Sequence, residues 1–69
     1  MNRDWFLEQL TIKGLSQRKL ARHWGVDPSF VTLTLQGKRP MQLDEVVKTA
    51  EMLEVSVDEI LQNAGLSRH

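Results

Sequence analysis

SQRKLARHWGVDPSFVTLTLQG, residues 16–37, holds two short helical segments separated by a turn too brief to let them lie side by side. Ser16 is a favoured N-cap type, and Leu20, Ala21 and Trp24 fall on one helical face after it. Gly25 closes that segment at a position where left-handed backbone suits glycine best. Asp27-Pro28 opens the next segment, a cap followed by proline at the first helical position. Only Gly25-Val26-Asp27 joins the two, which forces a steep crossing of roughly 90–120°. Such a crossing needs a small side chain where the backbones approach, here Ala21, and an apolar plug under the turn, here Val26. The second helix is then held away from the body with its outer face free. The same spacing also suits a plain helical hairpin.

The flanking sequence extends the all-α pattern in both directions. Upstream, Phe6 and Leu10 stand at i, i+4 with Trp5 beside them, predicting a helix over about 2–13. The central pair covers about 16–24 and 28–36, and Phe30, Val31, Leu33 and Leu35 give the second of these more apolar positions than one buried stripe requires. Downstream, Leu43, Val46, Val47, Ala50 and Leu53 predict a buried stripe on a helix over about 42–53. Ser56 with Glu59 three residues on is a capping-box signature, opening a fifth helix over about 57–64 with Ile60 and Leu61 inside it. Gly14, Gly25, Gly37 and Gly65 each follow a helical stretch, and nothing alternates with period two. The expected architecture is a compact five-helix all-α domain spanning residues 1–69.

Size and composition exclude several classes. With 69 residues the core alone is marginal, so efficient helix packing or a partner must stabilise the chain. There is no cysteine, hence no disulfide framework and no thiolate metal site, which fits a reducing cytoplasm. No apolar run approaches the ~18 residues of a membrane span, and the N-terminus lacks a signal-peptide plan. The only histidines, His23 and His69, sit far from any nucleophile or ligand at motif spacing, and no phosphate-binding glycine loop is present. Neither catalysis nor a metal, nucleotide or small-molecule cofactor is expected.

The net charge of zero hides an uneven distribution. Lys13, Arg18, Lys19, Arg22, Lys38 and Arg39 face Asp27 alone between residues 13 and 39, a net of +5. From Pro40 onward Lys48 and Arg68 oppose Asp44, Glu45, Glu51, Glu54, Asp58 and Glu59, a net of −4. The basic middle is compatible with phosphate.

Leu15-Ser16-Gln17, Leu20-Ala21, Gly25-Val26-Asp27, Val31 and Gly37-Lys38-Arg39 together resemble the lambda-repressor/Cro-like (Xre-type) helix-turn-helix family. Leu43, Val46, Ala50 and the run from Leu53 to Leu61 continue the likeness without a gap, so it covers most of the chain. The resemblance implies a DNA-binding transcriptional regulator, a repressor, that reads the major groove with helix 28–36. It places Ser16, Gln17 and Arg18 at phosphates near the start of the second helix, where free N–H groups and the helix dipole favour anions. It places Lys38 and Arg39 at the neighbouring phosphates and allows Gln17 to brace a base-reading side chain.

Base reading falls by resemblance to Pro28, Ser29, Thr32 and Leu33. Where members of the family often carry arginine, glutamine or asparagine, this chain has two hydroxyls, a proline and a leucine. Such groups discriminate weakly, so the expected operator contains A·T pairs and is read partly through DNA shape. Leu33 suits a thymine methyl and a protein contact equally. A second departure is Leu10 and Leu35, at places where many relatives pair an arginine with a glutamate. An apolar pair can replace an ion pair, so these two leucines are expected to touch.

One short helix reads few base pairs, so a homodimer on a pseudo-palindromic operator is expected, with recognition helices about 34–36 Å apart. Val55, Val57, Ile60 and Leu66 are the candidate interface, and Trp5 or Phe6 at the surface could serve one too. Trp24 belongs in the core. The rival reading is a protein-interaction module, or the DNA-binding piece of a larger regulator whose partner or peptidase-like domain follows Leu66-Ser67-Arg68-His69.

Overall fold

The computed structural model describes residues 1–66, so Arg68 and His69 lie outside it. It contains five helices: α1 (Arg3–Ile12), α2 (Gln17–Trp24), α3 (Pro28–Leu35), α4 (Leu43–Leu53) and α5 (Val57–Ala64). No strand occurs among the described residues. Each helix begins where its capping chemistry requires. Asn2 Oδ1 accepts from the Trp5 backbone N–H, Ser16 Oγ from Lys19, Asp27 Oδ1 from Ser29 and Ser56 Oγ from Glu59, at 2.9–3.2 Å. These bonds satisfy N–H groups that have no partner inside their own helix. Helix ends agree with the sequence reading to within about one residue, the ordinary latitude of such boundaries.

The helices close on one core. Phe6 and Leu10 of α1, Leu20, Ala21 and Trp24 of α2, Val31 and Leu35 of α3, and Val46, Ala50 and Leu53 of α4 meet Met41 and Ile60 there. Helix α2 packs on both α3 and α4, while α5 lies against α4 and α1. The start of α1 is tied to the end of α5, because Asn2 N–H donates to the Asn63 carbonyl at 2.6 Å and Asn2 Nδ2 to Asn63 Oδ1 at 3.1 Å. A Cα radius of gyration of 10.7 Å matches the ~11 Å expected for a close-packed chain of this length. No helix among the described residues is long and apolar enough to cross a membrane.

Several expectations need correction at the level of single faces. Helix α4 buries Val46, Ala50 and Leu53, but Leu43 is 75% exposed and Val47 is also exposed. The flank turned inward carries Glu45 and Thr49 instead. Both are partnered: Arg39 reaches Glu45, and Trp24 Nε1 donates to Thr49 Oγ1 at 2.9 Å. Thr49 in turn donates to the Glu45 carbonyl at 2.6 Å. Trp24 is therefore a core residue that also satisfies its indole N–H. Phe6 is buried and cannot form a surface contact, whereas half-buried Trp5 packs edge-on against it with ring centroids 4.9 Å apart. Leu10 and Leu35 are both buried in the common core.

Glu54 ends α4 with φ 57°, the one non-glycine residue in left-handed backbone among those described. No sequence signal marked it. Its carboxylate lies 3.0 Å from Lys13 Nζ, bridging the C-terminal ends of α1 and α4 across the surface.

Candidate nucleic-acid interface

The turn Gly25-Val26-Asp27 takes the shape its residues allow. Gly25 has φ 79°, and the Gly25 and Val26 N–H groups both donate to the Ala21 carbonyl at 2.9 and 3.0 Å. Ala21 is buried in the core, and Val26 packs against it partly buried. Nothing lies within 4 Å of a Cβ built on Gly25, so backbone conformation and not space calls for glycine there.

Beyond the turn, α3 buries Val31, Thr34 and Leu35 and leaves Pro28, Ser29, Thr32 and Leu33 exposed. The four residues expected to face a groove thus share the solvent side. Thr32 also touches α2: its hydroxyl lies 3.2 Å from Gln17 Oε1. This bond fixes the N-terminal end of α2 beside the exposed face of α3, and Gln17 sits half-buried between them.

The two helix starts differ electrically. Ser16 caps α2 with a neutral hydroxyl, whereas Asp27 caps α3 with a carboxylate. The Ser29 backbone N–H, and then its side chain, hold Asp27 below the ordinary aspartate range, so it stays charged. An anion already occupies the positive end of α3; the equivalent end of α2 has none.

Arg39 occupies a different environment from the phosphate site anticipated for it. Its Nη1 and Nη2 donate to the two Glu45 oxygens at 2.8 and 2.7 Å, and Nη1 also donates to Thr34 Oγ1 at 2.9 Å. The guanidinium lies 5.4 Å from the Phe30 ring centroid, so it covers that ring in a cation–π contact. Glu45 is only 3% exposed. Burial alone would raise its pKa, but hydrogen bonds from Arg39 and from the Gln42 N–H outweigh burial and hold it below the usual range. The pairing raises Arg39 in turn, chiefly through the Glu45 hydrogen bond. The Glu45 carboxylate also caps α4, accepting from the Gln42 N–H at 3.0 Å. One bidentate pair thereby joins the loop after α3 to the first turn of α4.

Free positive charge is correspondingly narrower than the sequence count. Lys13 and Arg39 are engaged with Glu54 and Glu45, while Arg18, Lys19, Arg22 and Lys38 are exposed without an ion pair among the described residues. Lys48 pairs with Asp44 at 3.7 Å on α4.

The candidate dimer residues do not form one surface. Ile60 is 0% exposed and belongs to the core, so it cannot contact a partner. Its place on α5 toward α4 and α1 follows from being the one fully buried apolar residue of that helix. Val57 and Leu66 are exposed, and Val55 is partly buried against the core. His23 is exposed on α2, and no group of three metal-ligating side chains occurs among the described residues.

The Arg39–Glu45–Thr34 network went unforeseen because it joins residues on different elements, whereas a contact from Gln17 to a residue of the exposed α3 face was among the expectations and is present at Thr32. A partial signal existed for the network: Glu45 three residues after Gln42 has capping-box spacing. Compared with protein-family models, curated proteins and solved structures, the chain gives no match.

Proposed function

We propose that the chain is a DNA-binding transcriptional regulator of Xre-like helix-turn-helix type, acting as a repressor in the cytoplasm. Helix α3 enters the major groove of double-stranded DNA, and α2 sits across the adjacent backbone. The single observation that carries this reading is the Gln17–Thr32 hydrogen bond, 3.2 Å long. It joins the end of α2 suited to a phosphate with the face of α3 suited to base edges. Ser16, Gln17, Arg18 and Lys38 serve the backbone, and Ser29, Thr32 and Leu33 meet bases beside the rigid Pro28. Arg39 acts by holding the interface in place, its charge being committed to Glu45.

A homodimer on a pseudo-palindromic operator supplies the selectivity that one short helix lacks, with half-sites about 34–36 Å apart. Exposed Val57 and Leu66 support placing the contact at the C-terminal part of the domain.

Titration of mixed-sequence duplex DNA at several salt concentrations tests the proposal. Contacts from two to four free cations per subunit imply a log–log slope between about −1.8 and −3.6 per subunit. A flat salt dependence would overturn it. The alternative, a protein-interaction module, is favoured by exposed Leu43 and Val47, which stand at i, i+4 on α4. Tight salt-insensitive capture of a protein through that face, without DNA affinity, is its signature.

A further inference from the structure

Thr32 carries one hydroxyl hydrogen and two lone pairs. The two hydrogen-bond acceptors within reach of its Oγ1 belong to the protein: Gln17 Oε1 at 3.2 Å and the Pro28 carbonyl at 3.4 Å. The hydrogen is therefore turned inward whichever of them receives it. Reversing the Gln17 amide does not alter this result. Its Nε2 would then donate to Oγ1, and the hydroxyl would donate to the Pro28 carbonyl. In each of these arrangements the exposed side of Thr32 offers a lone pair and a methyl group, and donating outward would forfeit the internal hydrogen bond.

We propose that Thr32 is a specificity-determining residue that reads bases as a hydrogen-bond acceptor only, with Gln17 as the residue that positions it. This inference rests on the DNA-binding reading above. In the major groove, adenine presents its N6 amine and cytosine its N4 amine, whereas guanine and thymine present the acceptors O6 and O4. A free threonine hydroxyl rotates to suit either kind of edge. One whose hydrogen is held by the protein selects adenine or cytosine and is repelled by guanine or thymine. With the Thr32 hydroxyl donating to Gln17 Oε1, the Gln17 amide N–H groups are left to donate to the DNA backbone. One side chain thus fixes the register on the phosphate and the polarity of the base contact together.

Selection of bound sites from a random duplex library, run with the wild-type chain, Thr32→Val, Thr32→Ser and Gln17→Glu, tests the inference. Wild type is expected to show one position per half-site where adenine or cytosine exceeds guanine and thymine about two- to tenfold, the size of one neutral hydrogen bond. Valine keeps the shape and a methyl but no oxygen, so that preference disappears while overall DNA binding persists. Serine restores the acceptor and the preference. Glutamate keeps an acceptor for the Thr32 hydroxyl but repels phosphate, so the preference survives at lower affinity and the salt slope becomes shallower. Two results overturn the inference alone: salt-dependent DNA binding in which Thr32→Val changes no position, or changes one where guanine or thymine was favoured. Absence of salt-dependent DNA binding by the wild type overturns the underlying reading as well.

Discussion

Replacing Arg39 with methionine isolates the pair that joins the α3–α4 loop to α4. The substitution keeps an apolar stem beside Phe30 but removes both bonds to Glu45 and the one to Thr34. Thr34 retains a partner, since its hydroxyl donates to the Phe30 carbonyl at 2.7 Å. Glu45 does not fare as well: its carboxylate, 3% exposed, keeps only the Gln42 N–H among its present donors. One-sided removal from a buried pair costs about 3–5 kcal/mol, and because the Arg39 side chain is 22% exposed the lower end, about 3 kcal/mol, is expected. A domain of this size holds only about 3–10 kcal/mol in total. Urea unfolding followed by the fluorescence of Trp5 and Trp24 reads the change. At a slope of about 1 kcal/mol/M the midpoint falls by about 3 M. Arg39→Met combined with Glu45→Met should recover most of the loss, since an apolar pair leaves no uncompensated charge. A single variant that loses less than about 1 kcal/mol, or a double variant no more stable than the single, would refute the reasoning.

The same pair fixes a pH dependence whose sign reverses between the two proteins. In the wild type Glu45 lies below its ordinary value. Its contribution is complete above the unfolded glutamate value of about 4.3 and is lost as pH falls through the lower native value. In Arg39→Met, burial dominates and raises the native pKa above the unfolded one. Protonation then favours the folded state, so this variant gains stability as pH is lowered from 7 towards 5, measured by urea midpoints at each pH.

Lys38→Gln should reduce the magnitude of the salt slope of DNA binding by about 0.9, the share of one phosphate, while Arg39→Lys should leave that slope unchanged. Equal effects of the two would restore Arg39 to the phosphate contacts. Glu54→Gly relieves left-handed backbone at φ 57° but forfeits the Lys13 ion pair. The strain is worth about 1 kcal/mol and the exposed pair less, so thermal unfolding should move up by a few degrees. Ile60→Ala empties a fully buried site and should cost about 2–5 kcal/mol in urea unfolding. Sedimentation at a concentration where both proteins stay folded should show the same oligomeric state for this variant and the wild type.

Much of the fold was legible along the chain because its causes are local. Capping side chains, Pro28 and the closing glycines act on backbone within a few residues, so helix number and limits follow from neighbours in sequence. The exposed face of α3 was indicated by the family resemblance, because Phe30, Val31, Leu33 and Leu35 offer more apolar positions than one buried stripe and do not themselves select the side. The phase of α4 was not legible. Val46, Ala50 and Leu53 form a stripe with an apolar flank, Leu43 and Val47, and a polar flank, Glu45 and Thr49. Hydrophobicity favours burying the first, yet the second is buried.

That outcome depends on groups far away in sequence. Trp24 brings an indole N–H to Thr49, and Arg39 brings a fork of donors to Glu45, so a polar flank is buried with its hydrogen bonds made. The sequence by itself determined the five helices and the short turn between α2 and α3, and through its resemblance it indicated which α3 side chains face outward. Tertiary structure alone decided that Arg39 is a bracket, that Ile60 is core, and that the Thr32 hydroxyl lies beside Gln17. Backbone conformation answers to residues a few positions away; the partner of a buried polar group is chosen by whichever element packs against it.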